Sequence, residues 1–337
     1  MRARTYRLVW VYVIIVLLSG SFGAIQSPQP RTLLGEIGDT IDGVLIALII
    51  TFFENMVRDV WARELRRFKP YNIALVRFTV YVATFYSVPE IVDWAMQIIL
   101  PGRYVAGLVG GHHIALYFAF AVAVTVFMSV RRMLGGKYLL AMATGRYRRP
   151  IEEEHIVAFM DLKGSTPLAE RLGPSRYHDF LNDVFFDVAD AIADTGGDVY
   201  QYVGDEIVIT WSTARGLKNG DCVRFLFAVE DVLAERRDVY MKDYGSTPAL
   251  RGALHIGPLM VGEIGDLKRQ IVMIGDTMNT AARIEGACRK FGRDHVASAS
   301  LLVRLAQLPD FVKAESLGPV PLAGKSGEME LFALVRA

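Results

Sequence analysis

Four apolar runs, at 8–25, 41–57, 71–88 and 113–130, fill most of the first 130 residues of this chain. Each is close to the length that crosses the hydrocarbon core of a bilayer, for which about 17 to 25 helical residues are needed. One soluble core cannot hide four such runs together with its own apolar face, so they divide the chain into two unlike halves. Composition agrees. A mean hydropathy of +0.29, with 52% hydrophobic and 22% charged residues, lies between a soluble domain and an all-membrane protein.

Basic residues orient the runs. Arg2, Arg4 and Arg7 precede the first, Arg58, Arg63, Arg66, Arg67 and Lys69 separate the second from the third, and Arg131, Arg132 and Lys137 follow the fourth. Because such residues stay on the inner side, the pattern predicts a multi-pass protein of the plasma membrane, partnered by the lipid bilayer, with both termini cytoplasmic. Glu36, Asp39, Asp42, Glu90 and Asp93 then fall in the two outer connections. A rival reading treats Met1–Ala24 as a cleavable leader, for it has a basic start, a short apolar run and small residues at its end. Its removal would leave three spans and the same cytoplasmic second half.

Inside the runs polar residues are few. Glu54 and Arg77 lie at similar depths, where they either pair or snorkel separately to the headgroups. His112 and His113 open the fourth run, and adjacent helical residues point about 100° apart, which suits an interfacial pair better than one shared metal. Residues 131–154 follow, with Leu134, Tyr138, Leu139 and Met142 at helical spacing and Gly145 and Pro150 as breakers. They read as a short coupling helix with a bend, or as a passive linker.

Residues 155–337 alternate strand and helix patterns: strands at 155–160 and 249–264, a hairpin at 198–211 turning at Gly204-Asp205, a strand-rich run at 269–274, and helices at 175–194, 222–240 and 276–291. The mixture predicts an α+β domain, an antiparallel sheet with helices on one face, as in a ferredoxin-like palm. The formal net charge of +1, with arginines clustered beside apolar runs, gives no reason to expect a nucleic-acid partner. Cys222 and Cys288 have no metal-ligand spacing, which suits a reducing compartment.

Two carboxylates stand out in this half. Asp161, in Phe159-Met160-Asp161-Leu162-Lys163-Gly164-Ser165-Thr166, and Asp205, in Tyr202-Val203-Gly204-Asp205-Glu206, each sit where an apolar run breaks into a turn. They supply the oxygen ligands that magnesium prefers, and magnesium needs few of them because it keeps water and binds substrate phosphates. After Asp161, Gly164, Ser165 and Thr166 lead into a helix whose free backbone N–H groups suit phosphate oxygens. Downstream, Asn279 and Arg283 are four apart and share a helix face.

Taken in this order, the segments from about Glu154 to Ala337 resemble the class III nucleotidyl cyclases, of the membrane-anchored bacterial type. The resemblance implies the cyclase palm fold and conversion of ATP to 3′,5′-cyclic AMP and pyrophosphate, with two divalent cations, Mg2+ or Mn2+, per site. It assigns metal binding to Asp161, Asp205 and the carbonyl of Leu162, ribose orientation to Asn279, and charge stabilisation at phosphorus to Arg283. Arg251 and Lys325 match positions that contact the polyphosphate, and Gln201 and Val272 match those that read the base. There the chain departs from the family: adenylyl cyclases usually carry Lys and an Asp, Thr or Ser at these two positions, and guanylyl cyclases Glu and Cys. A Gln amide can face either purine, so GTP remains an alternative substrate, and a degenerate nucleotide-binding receptor an alternative function. In the family each site is completed by two chains, which implies a homodimer, regulated here through the membrane domain by an unidentified membrane or extracytoplasmic signal.

Overall fold

The computed structural model describes residues 13, 15–19, 21, 33–57, 70–101, 119, 122–127, 129–131, 133, 135–325 and 327–337. These fall in two compact units, within Thr5–Leu134 and within Gly135–Ala337.

In the first unit, helix α1 (Leu33–Asn55) packs on helix α2 (Pro70–Ile99). Both exceed their apolar runs. Glu36, Asp39 and Asp42 lie within α1, and Glu90 and Asp93 within α2, so these acids are helical where loops were expected. Helix α2 continues through Pro89 although proline removes one ladder bond; Val88 and Val92, buried with Ile46, Ile50, Tyr81 and Phe85, hold the turns on either side of it. Among the described residues one helical stretch, Leu75–Ile99, is long and apolar enough to cross a membrane by length and composition. The runs at 8–25 and 113–130 lie partly outside the described residues, and His112 and His113 lie wholly outside them. Glu54 and Arg77 do pair. Arg77 Nε lies 3.0 Å from Glu54 Oε1, and the Tyr81 hydroxyl donates to the same oxygen at 2.8 Å.

The second unit opens with helix α3 (Gly136–Thr144), bounded by Gly135 at φ 78° and by Gly145, whose left-handed φ of 66° closes the helix. This helix packs into the globular unit: Tyr138, Ala141 and Tyr147 join Val157, Phe159, Val208, Leu259, Val261 and Met273 in one apolar cluster. Strand β1 (Ile151–Leu162) follows, beginning at Ile151 where the apolar pattern suggested His155. Next come α4 (Ser165–Asp194), β2 (Asp198–Val203), β3 (Glu206–Ser212), α5 (Thr213–Gly216), α6 (Asp221–Glu235), α7 (Arg237–Tyr244), β4 (Leu250–Ile264), β5 (Gln270–Ile274), α8 (Asp276–Phe291), β6 (His295–Ser298), α9 (Ala299–Arg304), β7 (Val312–Pro321) and β8 (Glu328–Arg336).

The strands form one sheet in the order β2-β3-β1-β4-β6-β8-β7, with β5 paired to β4. Two features correct the expectation of an antiparallel sheet covered on one face. First, β4 and β6 run parallel, because α8 provides the crossover that a parallel pair requires. Second, helices cover both faces. Along β1, Ile156, Ala158, Met160 and Leu162 enter the core beneath α4 and α6, whereas Val157 and Phe159 enter the cluster beneath α3 and α8. A strand buried on both faces reads as the unbroken apolar run that marks β1 in the sequence.

Candidate active site at the strand ends

Asp161 is the penultimate residue of β1, and the registers of the sheet set its neighbours. It faces Glu206 across β3 and Arg251 across β4. Asp205 sits beside Glu206 in the two-residue turn of the β2–β3 hairpin, which Gly204 enters at φ 62°. A glycine with positive φ at the first turn position matches the twist of the two strands. Gly252 backs the site, because a Cβ there would lie 2.2 Å from Met160 Sδ, so Arg251 is followed by a residue that admits no side chain.

From α8, two further groups enter. Arg289 donates from its guanidinium to Asp161 Oδ2 at 2.5 Å, and its Nε lies 3.6 Å from Glu285 Oε1. Burial raises the Asp161 carboxyl above the usual range, Arg289 opposes the shift and Asp205 adds to it. Burial also pushes Glu206 up to about 7, with Glu285, Asp161 and Asp205 contributing. Four carboxylates thus share this corner with two arginines, of which Arg289 pairs with Asp161 directly.

That imbalance fits a divalent metal. Among the described residues no three His, Cys, Asp or Glu side chains form a self-sufficient metal cage. A cation held by Asp161 and Asp205 must therefore complete its shell with water, the Leu162 carbonyl or ligand oxygens, which is magnesium's habit. Beyond Leu162 the backbone turns at Gly164, φ 66°, and Ser165 and Thr166 begin α4 with first-turn N–H groups at the surface. The Lys163 ammonium turns aside to pair with Asp294.

A second constellation lies at the start of α8. Lys325 pairs with Asp276, holding that carboxyl below the usual range, and the neighbouring Gly324 backbone approaches the Arg283 guanidinium so closely that a Cβ would lie 3.2 Å from it. His255 is buried behind this corner with Nδ1 2.9 Å from Ser298 Oγ. Burial, with Lys325 adding, pushes its imidazole down to about 4. Asn279 is exposed and Arg283 half-buried.

The two constellations do not meet within one chain. Six residues separate Asn279 from Glu285 and Arg283 from Arg289, which is about 120° around the helix and about 9 Å along it. Among the described residues no hydrogen bond or ion pair joins Asn279 or Arg283 to Asp161 or Asp205. Gln201, exposed on β2, and Val272, half-buried on β5, form a third locus, linked by the hydroxyl of Tyr200. Glu206, Glu285, Arg289 and Tyr200 escaped the reading of the sequence. The i,i+4 spacing of Glu285 and Arg289 was a usable signal for those two.

Residues 149–336 match the family model described as the adenylate and guanylate cyclase catalytic domain. The chain belongs to that family. It is 42% identical over 207 residues to Adenylate cyclase 2 of Rhizobium meliloti (strain 1021), an alignment covering 61% of this chain and 57% of that protein. With Adenylate cyclase 1 of the same organism it shares 26% identity over 186 residues, covering 54% and 28%. The chain thus spans little more than half of the first relative's length and less of the second's. A solved bacterial light-regulated adenylyl cyclase superposes with a TM-score of 0.55 at 18% identity, over 65% of this chain and 63% of its own. That likeness concerns the fold.

Proposed function

We propose that this chain is a membrane-bound adenylyl cyclase that converts ATP to 3′,5′-cyclic AMP and pyrophosphate at sites shared between two copies of itself. One observation carries the reading: α8 turns Asn279 and Arg283 away from the Asp161–Asp205 carboxylates of its own chain, which supports a set completed by a second chain. Two copies packed head to tail would form two equivalent sites.

In each site the ribose 3′ oxygen bonds to the α-phosphorus, the bond to the β-phosphate oxygen breaks, pyrophosphate leaves and the hydroxyl proton passes to solvent. Asp161 and Asp205, with the Leu162 carbonyl, would hold two Mg2+ or Mn2+ ions, which would supply charge stabilisation to the attacking and leaving oxygens. Arg289, which now donates to Asp161 Oδ2, would have to release that oxygen for it to serve as a metal ligand. The N–H groups at Gly164, Ser165 and Thr166 cradle phosphate, Arg251 stands across from Asp161, and Lys325 exchanges Asp276 for the polyphosphate. Asn279 orients the ribose, and Arg283 balances charge on the pentavalent phosphorus. ATP is favoured by the 42% identity to an adenylate cyclase. The Gln201 amide serves either purine, so cyclic AMP and cyclic GMP are to be measured side by side.

The first unit is read as a multi-pass membrane domain with the second unit cytoplasmic, supported by the apolar helix Leu75–Ile99 and the basic clusters. Protease protection in sealed vesicles tests that placement, and a catalytic unit shielded inside right-side-out vesicles is expected. For the shared site, Asp161→Ala and Asn279→Ala chains should each be nearly inactive, while their co-expression restores substantial activity through the one intact site of each heterodimer. Mutants that demonstrably pair yet stay at the single-mutant level refute the shared site.

A further inference from the structure

Strands β2 and β5 are not neighbours. Three strands, β3, β1 and β4, lie between them, and at about 4.8 Å per step a flat sheet would hold them about 19 Å apart. The sheet instead curls, and the Tyr200 hydroxyl accepts the backbone N–H of Met273 at 3.0 Å. Tyr200 can reach because it is the extra residue of a β-bulge: Val199 pairs with Ile209 and Gln201 with Val208, leaving Tyr200 between them. Val199 packs on one face of the sheet, whereas Tyr200 packs on the other with Tyr138, Met273 and Ile271.

The bond sits between the two residues that match base-reading positions. Gln201 follows Tyr200 directly, and Val272 precedes Met273 directly. In the β4–β5 ladder Met273 lies opposite Val261, and because its N–H points to Tyr200 this is a non-hydrogen-bonded pair, with the outward edge of Met273 free of β4. The Val272 side chain offers a purine no hydrogen bond. What the β5 edge offers therefore depends on its backbone, and the Met273 donor is already taken.

We propose that Tyr200 is a positioning residue that sets base selectivity, resting on the cyclase reading of the same site. Its hydroxyl fixes the gap between the Gln201 and Val272 strands and withdraws the Met273 N–H from the donors open to a base. An edge stripped of that donor suits adenine, which presents an amino group, over guanine, which presents a carbonyl oxygen.

The test is Tyr200→Phe in the full chain, which keeps the ring packing and removes the acceptor. Steady-state kinetics with ATP and GTP are read together with displacement of a fluorescent ATP analogue by each nucleotide, which reports selectivity without turnover. Losing one hydrogen bond should raise KM for ATP more than it lowers kcat, and move the ATP-to-GTP ratio about three- to tenfold toward GTP. The metal concentration for half-activity should stay unchanged. An unaltered ratio in both readouts overturns the role of Tyr200 while leaving the cyclase reading intact. A wild-type chain that binds nucleotide without cyclising it overturns the cyclase reading, and the displacement ratio then still judges Tyr200. Wild-type protein that neither cyclises nor binds either nucleotide overturns both.

Discussion

In the proposed site Arg289 holds the Asp161 oxygen that a metal ion would take, so removing it should make the chain less stable without metal and more receptive to metal. The size of the effect follows from exposure. Breaking a fully buried ion pair costs about 3–5 kcal/mol, and an exposed pair is worth about 0–1. Here the Asp161 side chain is 8% exposed and the Arg289 side chain 60%, which places the pair between these limits, at about 1–2 kcal/mol. Arg289→Ala leaves Asp161, Asp205, Glu206 and Glu285 facing Arg251 alone. In a domain of this size the loss should lower the metal-free Tm by about 2–8 °C. The same free energy no longer opposes a cation at Asp161, so the Mn2+ or Mg2+ concentration that half-restores stability should fall about 5- to 30-fold. Thermal unfolding of the purified chain across a metal titration reads both quantities, and isothermal calorimetry with Mn2+ checks the affinity. An unchanged metal-free Tm with an unchanged metal midpoint would refute the idea that this guanidinium stands in for the metal.

Two groups with shifted titration, half-buried Glu206 and buried His255, should bend the pH profile of metal-free stability from opposite sides. Glu206 is raised from 4.5 to about 7, so its contribution is full below pH 4.5 and is lost as pH rises through 7; allowing for its partial exposure, the loss is about 1–2 kcal/mol, and Glu206→Gln should flatten that limb in denaturant titrations at pH 6 and 8. His255 falls from 6.5 to about 4, so the chain loses about 3 kcal/mol as pH drops from 6.5 to 4, and His255→Asn should lack that loss, so that the stability difference between variant and wild type changes by this amount over the same range. A profile identical in variant and wild type would contradict either assignment. Gly252→Ala places a Cβ against Met160 and Leu226, which should cost about 1–3 kcal/mol of stability by overpacking; Met160→Ala in the same chain should recover part of it, and additive losses would show that the clash lies elsewhere.

Local rules carried the reading of the sequence as far as local rules reach. The β2–β3 hairpin was legible because glycine and aspartate close two alternating runs, and α8 was legible from its period. The parallel partner of β4 was not, since β6 is four residues long and its pairing depends on where a helix returns the chain. Contacts between distant positions were equally hidden: Asp161 meets Arg289 across 128 residues, and Tyr200 meets Met273 across 73. Nor does an apolar window announce that α2 continues through Pro89, because packing on α1 decides it.

Helix α8 shows how much a sequence can say once burial is added to spacing. Ala281, Ile284 and Cys288 form its buried stripe, at the i, i+3, i+7 positions that any amphipathic helix turns toward its own core. Measured around the axis, Asn279 and Arg283 lie about 150° from that stripe. A polar pair on the outer face of a core helix is an ordinary surface unless another molecule covers it. With Arg289 on the flank that reaches Asp161, the same rotation commits one side of α8 to the carboxylate corner of its own chain and leaves Asn279 exposed on the other, the side that the proposed second chain would cover. Changing which residues form the stripe would turn both sides together, so in the shared-site proposal the phase of a single helix would set how the site is divided between two chains.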